Sequence, residues 1–320
     1  MRQRLTLLGA LLVVQLVLIG VVYVASGHEK AGEQLLDIDA GAIHGLEISD
    51  AEGNTITLGR TDSGWQVGEL PADAEKVDGV IESLVSGAGG WPVATSEDSQ
   101  TRFEVTGDKF QRRIAFEGEG DELAVVYLGT SPGFRRVHAR RDGEDEVFSI
   151  DFAVHEVPTK AGDWLDKQVL AAKGISRIEL PGPHVLEPAG EEGGWTLDGQ
   201  ATDPEAARRF AERLEGLTVL GLYQPEKEKT LGDAQTVVIQ DERGTERLTF
   251  RFDEAGDQYV VTSDRVPGEF TVASYVAEQI FADPSDLLPK ADDGGEAAGE
   301  GESDAGAPDT PTTPSAEEAS

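Results

Sequence analysis

The chain opens on an apolar run that has no polar face. From Leu5 to Ala25 only Thr6 and Gln15 interrupt it among polar or hydroxylic residues. At about 1.5 Å per residue such a helix reaches roughly 30 Å, the thickness of a bilayer's hydrocarbon core. Arg2 and Arg4 precede it, and the positive-inside rule then puts the N-terminus in the cytoplasm and everything after about Gly27 outside. A cleaved signal peptide has a shorter apolar core and a small-x-small site. Tyr23-Val24-Ala25 is a poor match to that site. Residues 1–27 therefore read as a cytoplasmic start and an uncleaved anchor in a bacterial-type inner membrane, with 28–42 as a linker. No second apolar stretch approaches this length.

Beyond the anchor the pattern changes to short alternating strands and amphipathic helices, and it occurs twice. One unit starts at Ile43-His44-Gly45-Leu46-Glu47-Ile48, the other at Ile175-Ser176-Arg177-Ile178-Glu179-Leu180. Each proceeds to a Trp-centred strand, Ser63-Gly64-Trp65-Gln66-Val67 and Gly193-Gly194-Trp195-Thr196-Leu197. Each then starts a helix. Asp73 is the expected N-cap of the first, and Asp203-Pro204 supplies a cap and a first-turn proline for the second. Val77, Val80, Ile81, Leu84 and Val85 line one face of the first helix. Phe210, Leu214 and Leu217 do so in the second, flanked by Ala207 and Ala211.

Four strands follow each helix. In the first unit they fall near 113–116, 123–128, 136–139 and 146–150, and in the second near 236–239, 247–252, 259–262 and 269–272. Glu-Gly, Asp-Gly and Arg-Gly turns link them, as antiparallel connections do. Alternation in several strands predicts a sheet with one wet face. A short helix is expected to close each unit, after Asp151 and after Ser274. The fold class is α+β: two tandem modules, 43–172 and 173–290, with mainly antiparallel sheets. Residues 291–320 hold nine acids, no basic residue and no large apolar side chain, and read as a disordered acidic tail.

Charge narrows the functional classes. With 61 acidic against 27 basic residues the net charge is -34, a surface that repels nucleic-acid phosphates. Cysteine is absent, which removes disulfides, thiol catalysis, Cys-ligated zinc and lipoprotein attachment. The five histidines are isolated, and no zincin, nucleophile-elbow or phosphate-loop motif occurs. Asp37-Ile38-Asp39-Ala40-Gly41 lacks the later ligands of a calcium loop. No catalytic residue, cofactor or metal site is expected.

One segment departs from the acidic background, Phe134-Arg135-Arg136-Val137-His138-Ala139-Arg140-Arg141. Period-two geometry puts Arg136, His138 and Arg140 on one strand face. Such a row fits an anionic envelope glycan or a partner's acidic surface. Trp65, Trp91, Trp164 and Trp195 read as core anchors rather than a sugar platform.

The apolar anchor, the Gly64-Trp65 strand, the Pro71-Ala72-Asp73 helix start and the segment Lys160-Ala161-Gly162-Asp163-Trp164-Leu165-Asp166-Lys167-Gln168-Val169-Leu170 together resemble a known family, domain of unknown function 4340. The resemblance runs from about Ile43 to Leu288 in two copies. In the second copy Asp286-Leu287-Leu288-Pro289-Lys290 is the approximate counterpart of Asp163-Trp164-Leu165-Asp166-Lys167. Members are often encoded beside gliding-motility-type ABC transporter components. The resemblance therefore implies a non-enzymatic, membrane-anchored accessory or scaffold subunit of an ABC-type complex, with no family residues to carry over. The other expectation is an envelope polymer or ligand-binding module using the Arg136-His138-Arg140 face.

Overall fold

The computed structural model describes Gln15 and residues 33–190, 194–224 and 230–289. Apart from Gln15, the expected anchor lies outside the described residues, as does the expected acidic tail. Among the described residues no helix is long and apolar enough to cross a membrane.

The chain enters at β1 (Glu33–Gln34) and makes a first meander of β2 (Gly45–Asp50), β3 (Thr55–Thr61), β4 (Gly64–Val67) and β5 (Leu70–Pro71). Helix α1 (Ala74–Val85), β6 (Ala88–Gly90) and helix α2 (Glu97–Phe103) follow. A second meander then runs through β7 (Arg112–Glu117), β8 (Glu122–Leu128), β9 (Val137–Arg141) and β10 (Val147–Ile150). The first strands of the two meanders pair antiparallel, Leu46 opposite Phe116. The sheet order is therefore β10-β9-β8-β7-β2-β3-β4-β5.

The second unit repeats this path. Its first meander is β11 (Arg177–Glu179), β12 (Val185–Pro188), β13 (Trp195–Leu197) and β14 (Gln200–Ala201), followed by helix α3 (Pro204–Glu215) and β15 (Gly221–Leu222). Its second meander is β16 (Leu231–Asp241), β17 (Gly244–Asp253), β18 (Gln258–Ser263) and β19 (Glu269–Ala273), closed by helix α4 (Ser274–Ile280). The order is β14-β13-β12-β11-β16-β17-β18-β19-β15. Read in the same direction, the two sheets share one topology.

Register carries the equivalence to single residues. Phe116, Leu46, Leu58 and Val67 lie opposite one another across four strands of the first sheet. Ile239, Ile178, Leu186 and Leu197 do the same in the second. All eight are buried, so an equivalent apolar stripe crosses each sheet beneath its helix. Asp73 caps α1 through the Lys76 N–H at 3.0 Å, and Asp203 caps α3 through the Ala206 N–H at 2.9 Å. The five apolar residues expected on α1 are all buried. Gly87 follows that helix where a Cβ would stand 2.1 Å from the Ser83 carbonyl oxygen, so only glycine fits.

Four features differ from the pattern. Residues 33–42, expected within a linker, are packed into the first unit: Leu35 and Leu36 are buried in its core, and β1 pairs with β6. Helix α2 was not expected, although Ser96 caps it and Glu97 and Asp98 occupy its first turn. The first unit closes on a 310 turn, Val154–Glu156, rather than a helix. Its sheet is also covered on both faces over β7–β10. There Val105, Ala115, Val125, Tyr127 and Val147 form a small second core, with Phe103 and Phe110 packed on it. The second unit keeps the expected wet face: Arg247 and Arg251 are exposed along β17 while Leu248 and Phe250 are buried.

Candidate functional site: the basic groove of the first unit

The basic run expected on one strand is divided by the structure. His138 and Arg140 do share a face of β9, but that face lies under α2 and residues 103–110, and both side chains are buried. The imidazole stacks on Phe103 with ring centroids 4.0 Å apart. Burial pushes its pKa down, and Arg102 adds to that, against a contact with Thr130 that raises it. The Arg140 guanidinium donates to the carbonyls of Val105 at 2.6 Å, Arg141 at 3.0 Å and Glu144 at 2.8 Å, and lies 5.1 Å over the Tyr127 ring. Neither presents a hydrogen-bonding face to an anionic polymer. The expected three-residue row is corrected on that ground, because strand period assigns a face but not what covers it.

Arg136 alone of the three stays exposed. Its guanidinium reaches across to β10, donating through Nε to Ser149 Oγ at 3.1 Å and through Nη2 to the Ser149 carbonyl. It stands at the end of the loop joining β8 to β9. Ser131 Oγ ties that loop together by donating to the carbonyls of Gly133 at 2.7 Å and Arg136 at 2.6 Å. The base is held by the Thr130 N–H on the Phe103 carbonyl at 2.8 Å. At the tip Phe134 is 92% exposed. Arg135 beside it takes a left-handed backbone, φ 53°, a conformation that costs a side-chain-bearing residue free energy.

Between this loop and residues 153–155 lies an open groove of about 500 Å³. Arg112, Arg135, Arg136 and His155 all line it. Arg112 is fixed by donating to the carbonyls of Val157 at 2.9 Å and Gln111 at 2.7 Å. Its charge also helps hold buried Asp50. Burial alone would raise that carboxyl, but hydrogen bonds from Asn54 and Thr159 and the Arg112 charge bring it down to about 2. The groove thus concentrates positive charge and one protruding ring on a strongly acidic molecule. Arg112 and His155 had no signal in the sequence, since they lie far from the 134–141 run.

A second polar cluster sits at the tip of the β16–β17 hairpin. The Asp241 carboxylate is fully buried and receives Arg265 at 3.0 Å and Arg243 at 3.1 Å. Glu246, equally buried, receives Arg265 at 3.0 Å and Ser263 Oγ at 2.7 Å. Burial works against the Asp241 charge, but Arg265, the Lys173 N–H and Arg243 bring its pKa to about 2. These groups are spent on each other. They pin the hairpin to residues 171–173, where Arg243 also donates to the Ala171 carbonyl. Among the described residues no group of His, Asp or Glu is arranged to hold a metal ion.

A family model described as Domain of unknown function (DUF4340) matches residues 67–235. The chain belongs to the DUF4340 family. The matched stretch begins at the end of β4 and ends within β16, so it takes in the second meander of the first unit and the first meander of the second. The basic groove of this DUF4340 chain falls wholly inside it. No curated protein and no solved structure matches the chain.

Proposed function

We propose that this chain is a non-catalytic, single-pass membrane-anchored accessory subunit. Its two α+β units stand outside the cytoplasm and hold an acidic segment of a protein partner in an ABC-type envelope complex. The observation that carries the reading is the 131–136 loop. A ring 92% exposed stands beside an arginine at φ 53°, on a loop cross-tied at its base. Phenylalanine and arginine are both enriched in protein–protein interfaces relative to the rest of the surface. Positive charge against an acidic partner also favours encounter over self-association in a chain of net charge -34.

Two further observations support tethering. The apolar run Leu5–Ala25 has membrane-spanning length. The chain enters the first unit through β1, whose Glu33 lies opposite Gly90. The next residue, Trp91, expected in the core, is instead 77% exposed, and tryptophan favours the membrane–water interface. The ABC-type assignment rests on what the resemblance drawn from the sequence implies.

The test places a photocrosslinking amino acid at position 134 of the full-length protein in intact membranes. Adducts with one membrane-complex protein, reduced by Arg135→Glu, are the expected result. Adducts with envelope glycan instead would move the assignment to a polymer-binding module at the same groove. Adducts no more abundant than those from Ser63, a distant exposed control, would overturn both.

A further inference from the structure

The duplication allows each position of one unit to be read against the other. The Trp65 carbonyl accepts from the Ala72 N–H at 2.8 Å, and the Trp195 carbonyl from the Thr202 N–H at 3.1 Å. One residue later, the N–H of the capping Asp73 donates to the Trp164 carbonyl at 2.7 Å, and that of the capping Asp203 to the Leu287 carbonyl at 2.8 Å. Trp164 and Leu287 therefore occupy the same place. So do Lys76 and Ala206, each donating its N–H to the capping aspartate. The 310 turns Ala161–Asp163 and Pro284–Leu287 begin at equivalent positions, the second running one residue longer so that Leu287 is its last residue.

In the first unit this place is full. Trp164 is 0% exposed, and its Nε1–H donates to the Pro158 carbonyl at 2.8 Å. The Lys76 ammonium lies 4.6 Å from the ring centroid and donates to the Asp163 carbonyl at 2.7 Å. In the second unit the indole is replaced by a leucine side chain and the lysine by a methyl group. What remains is a cavity of about 170 Å³. Leu180, Ala206, Phe210 and Leu287 line it, and the exposed Arg209 and Asp283 bring it to the surface.

Size and chemistry select the occupant. The cavity's volume is close to the ~150 Å³ of an enclosed cavity that accepts benzene; with apolar walls at Leu180, Phe210 and Leu287 and an open rim charged by Arg209, Arg213, Asp283 and Asp286, it has room for a single aromatic ring. It is smaller than the roughly 300–1,000 Å³ of ordinary ligand sites. The aromatic ring of Phe281 does not fill it, being set edge-to-face on Phe250 at 5.1 Å. Arg209 and Arg213 line the cavity, so a guanidinium is at hand to cover an inserted ring much as Lys76 covers Trp164.

We propose that this cavity of the second unit is a docking pocket for one aromatic side chain of a partner protein, entering where the Trp164 ring sits in the first unit. The pocket is separate from the basic groove and does not depend on it.

The test uses the purified full-length protein in detergent, with N-acetyltryptophanamide as probe and N-acetylalaninamide as control, followed by methyl NMR at Leu180 and Leu287. The tryptophan amide should give saturable shifts that the alanine amide does not. Leu287→Trp, which copies the first unit, should abolish them while raising the Tm. Ala206→Lys serves as a second plug should the first variant fold poorly. Equal shifts from both amides, no shifts at all, or shifts that survive the plugs would overturn the pocket. For the occupant, a photocrosslinker at position 209 in intact membranes should give a protein adduct that Leu287→Trp removes. An adduct unaffected by the plug, or none, would overturn the assignment to a partner protein even where the amide binds.

Discussion

Arg265 offers the sharpest test of how the second unit is held together. One guanidinium bridges two carboxylates: it reaches Asp241 and Glu246 at 3.0 Å each, and those side chains are 0% and 1% exposed. In Arg265→Met the stem still fills space, but both carboxylates lose their shared partner. Removing one member of a buried ion pair typically costs about 3–5 kcal/mol, mostly as the penalty of an uncompensated buried charge. Here Arg243 stays on Asp241 and the Ser263 hydroxyl stays on Glu246, so the expected loss lies near the lower end, about 3 kcal/mol. That is roughly a hundredfold in the unfolding constant, or a urea midpoint lower by about 1 M if the slope is near 3 kcal/mol/M.

The pH dependence follows from Asp241. Its folded pKa of about 2 lies below its ordinary value of 3.8. The stabilisation is therefore complete above about pH 4 and disappears as pH falls through about 2. The gap between wild type and variant should close over the same window. Urea unfolding of the full-length protein, followed by tryptophan fluorescence at pH 7 and pH 3, measures both. Arg243→Met is the control, because Arg243 is 38% exposed and touches only one of the two carboxylates. A loss under about 1 kcal/mol for Arg265→Met, or one equal to that of Arg243→Met, would refute the argument.

Three further outcomes are expected. Trp164→Ala empties the filled slot of the first unit and should cost about 3–5 kcal/mol in chemical denaturation; a cost near that of a surface substitution would mean the indole is not a core plug. Gly129→Ala would put a Cβ 2.0 Å from the Phe103 carbonyl oxygen and 2.5 Å from that of Glu104, backbone that cannot swing aside. A Tm lowered by several degrees is expected, and an unchanged Tm would show that α2 shifts freely. Thr159→Val removes a 2.8 Å hydrogen bond from Asp50. NMR titration should find the Asp50 carboxyl moved up from about 2, with a stability loss of about 1 kcal/mol; an unmoved titration would assign its depression to Asn54 and Arg112.

The repeat was legible because its markers are local. Two Gly-Trp strands, two aspartate caps and two amphipathic stripes are each set by neighbours within a few residues, and all keep their order in the fold. What joins the meanders was not legible. The pairing of Leu46 with Phe116 spans seventy positions, and alternation says which side of a strand is apolar without naming its partner. The same limit explains the site. His138 and Arg140 share a face of β9 while Arg136 falls just before that strand, and α2 and the 103–110 segment, from earlier in the chain, close over the two that share it. Arg112 and His155 reach the groove by tertiary placement alone. A short helix such as α2 also has too few turns to show a stripe, though Ser96-Glu97-Asp98 was a usable cap signal.

The junction between the units carries a mechanical consequence. Residues 164–173 are stitched to both sides. Asp166 N–H bonds the Pro71 carbonyl at 2.9 Å, and Leu165 bridges Ala72. Lys167 accepts from Val219 at 2.8 Å, Ala172 donates to Leu214 at 3.0 Å, and the Lys173 N–H holds Asp241. A pull on the chain at this point meets several backbone bonds and two cores together rather than a slack tether. Force arriving at one unit is thus handed to the next with little stretch, so the pair behaves as a stiff strut and not as two beads on a string.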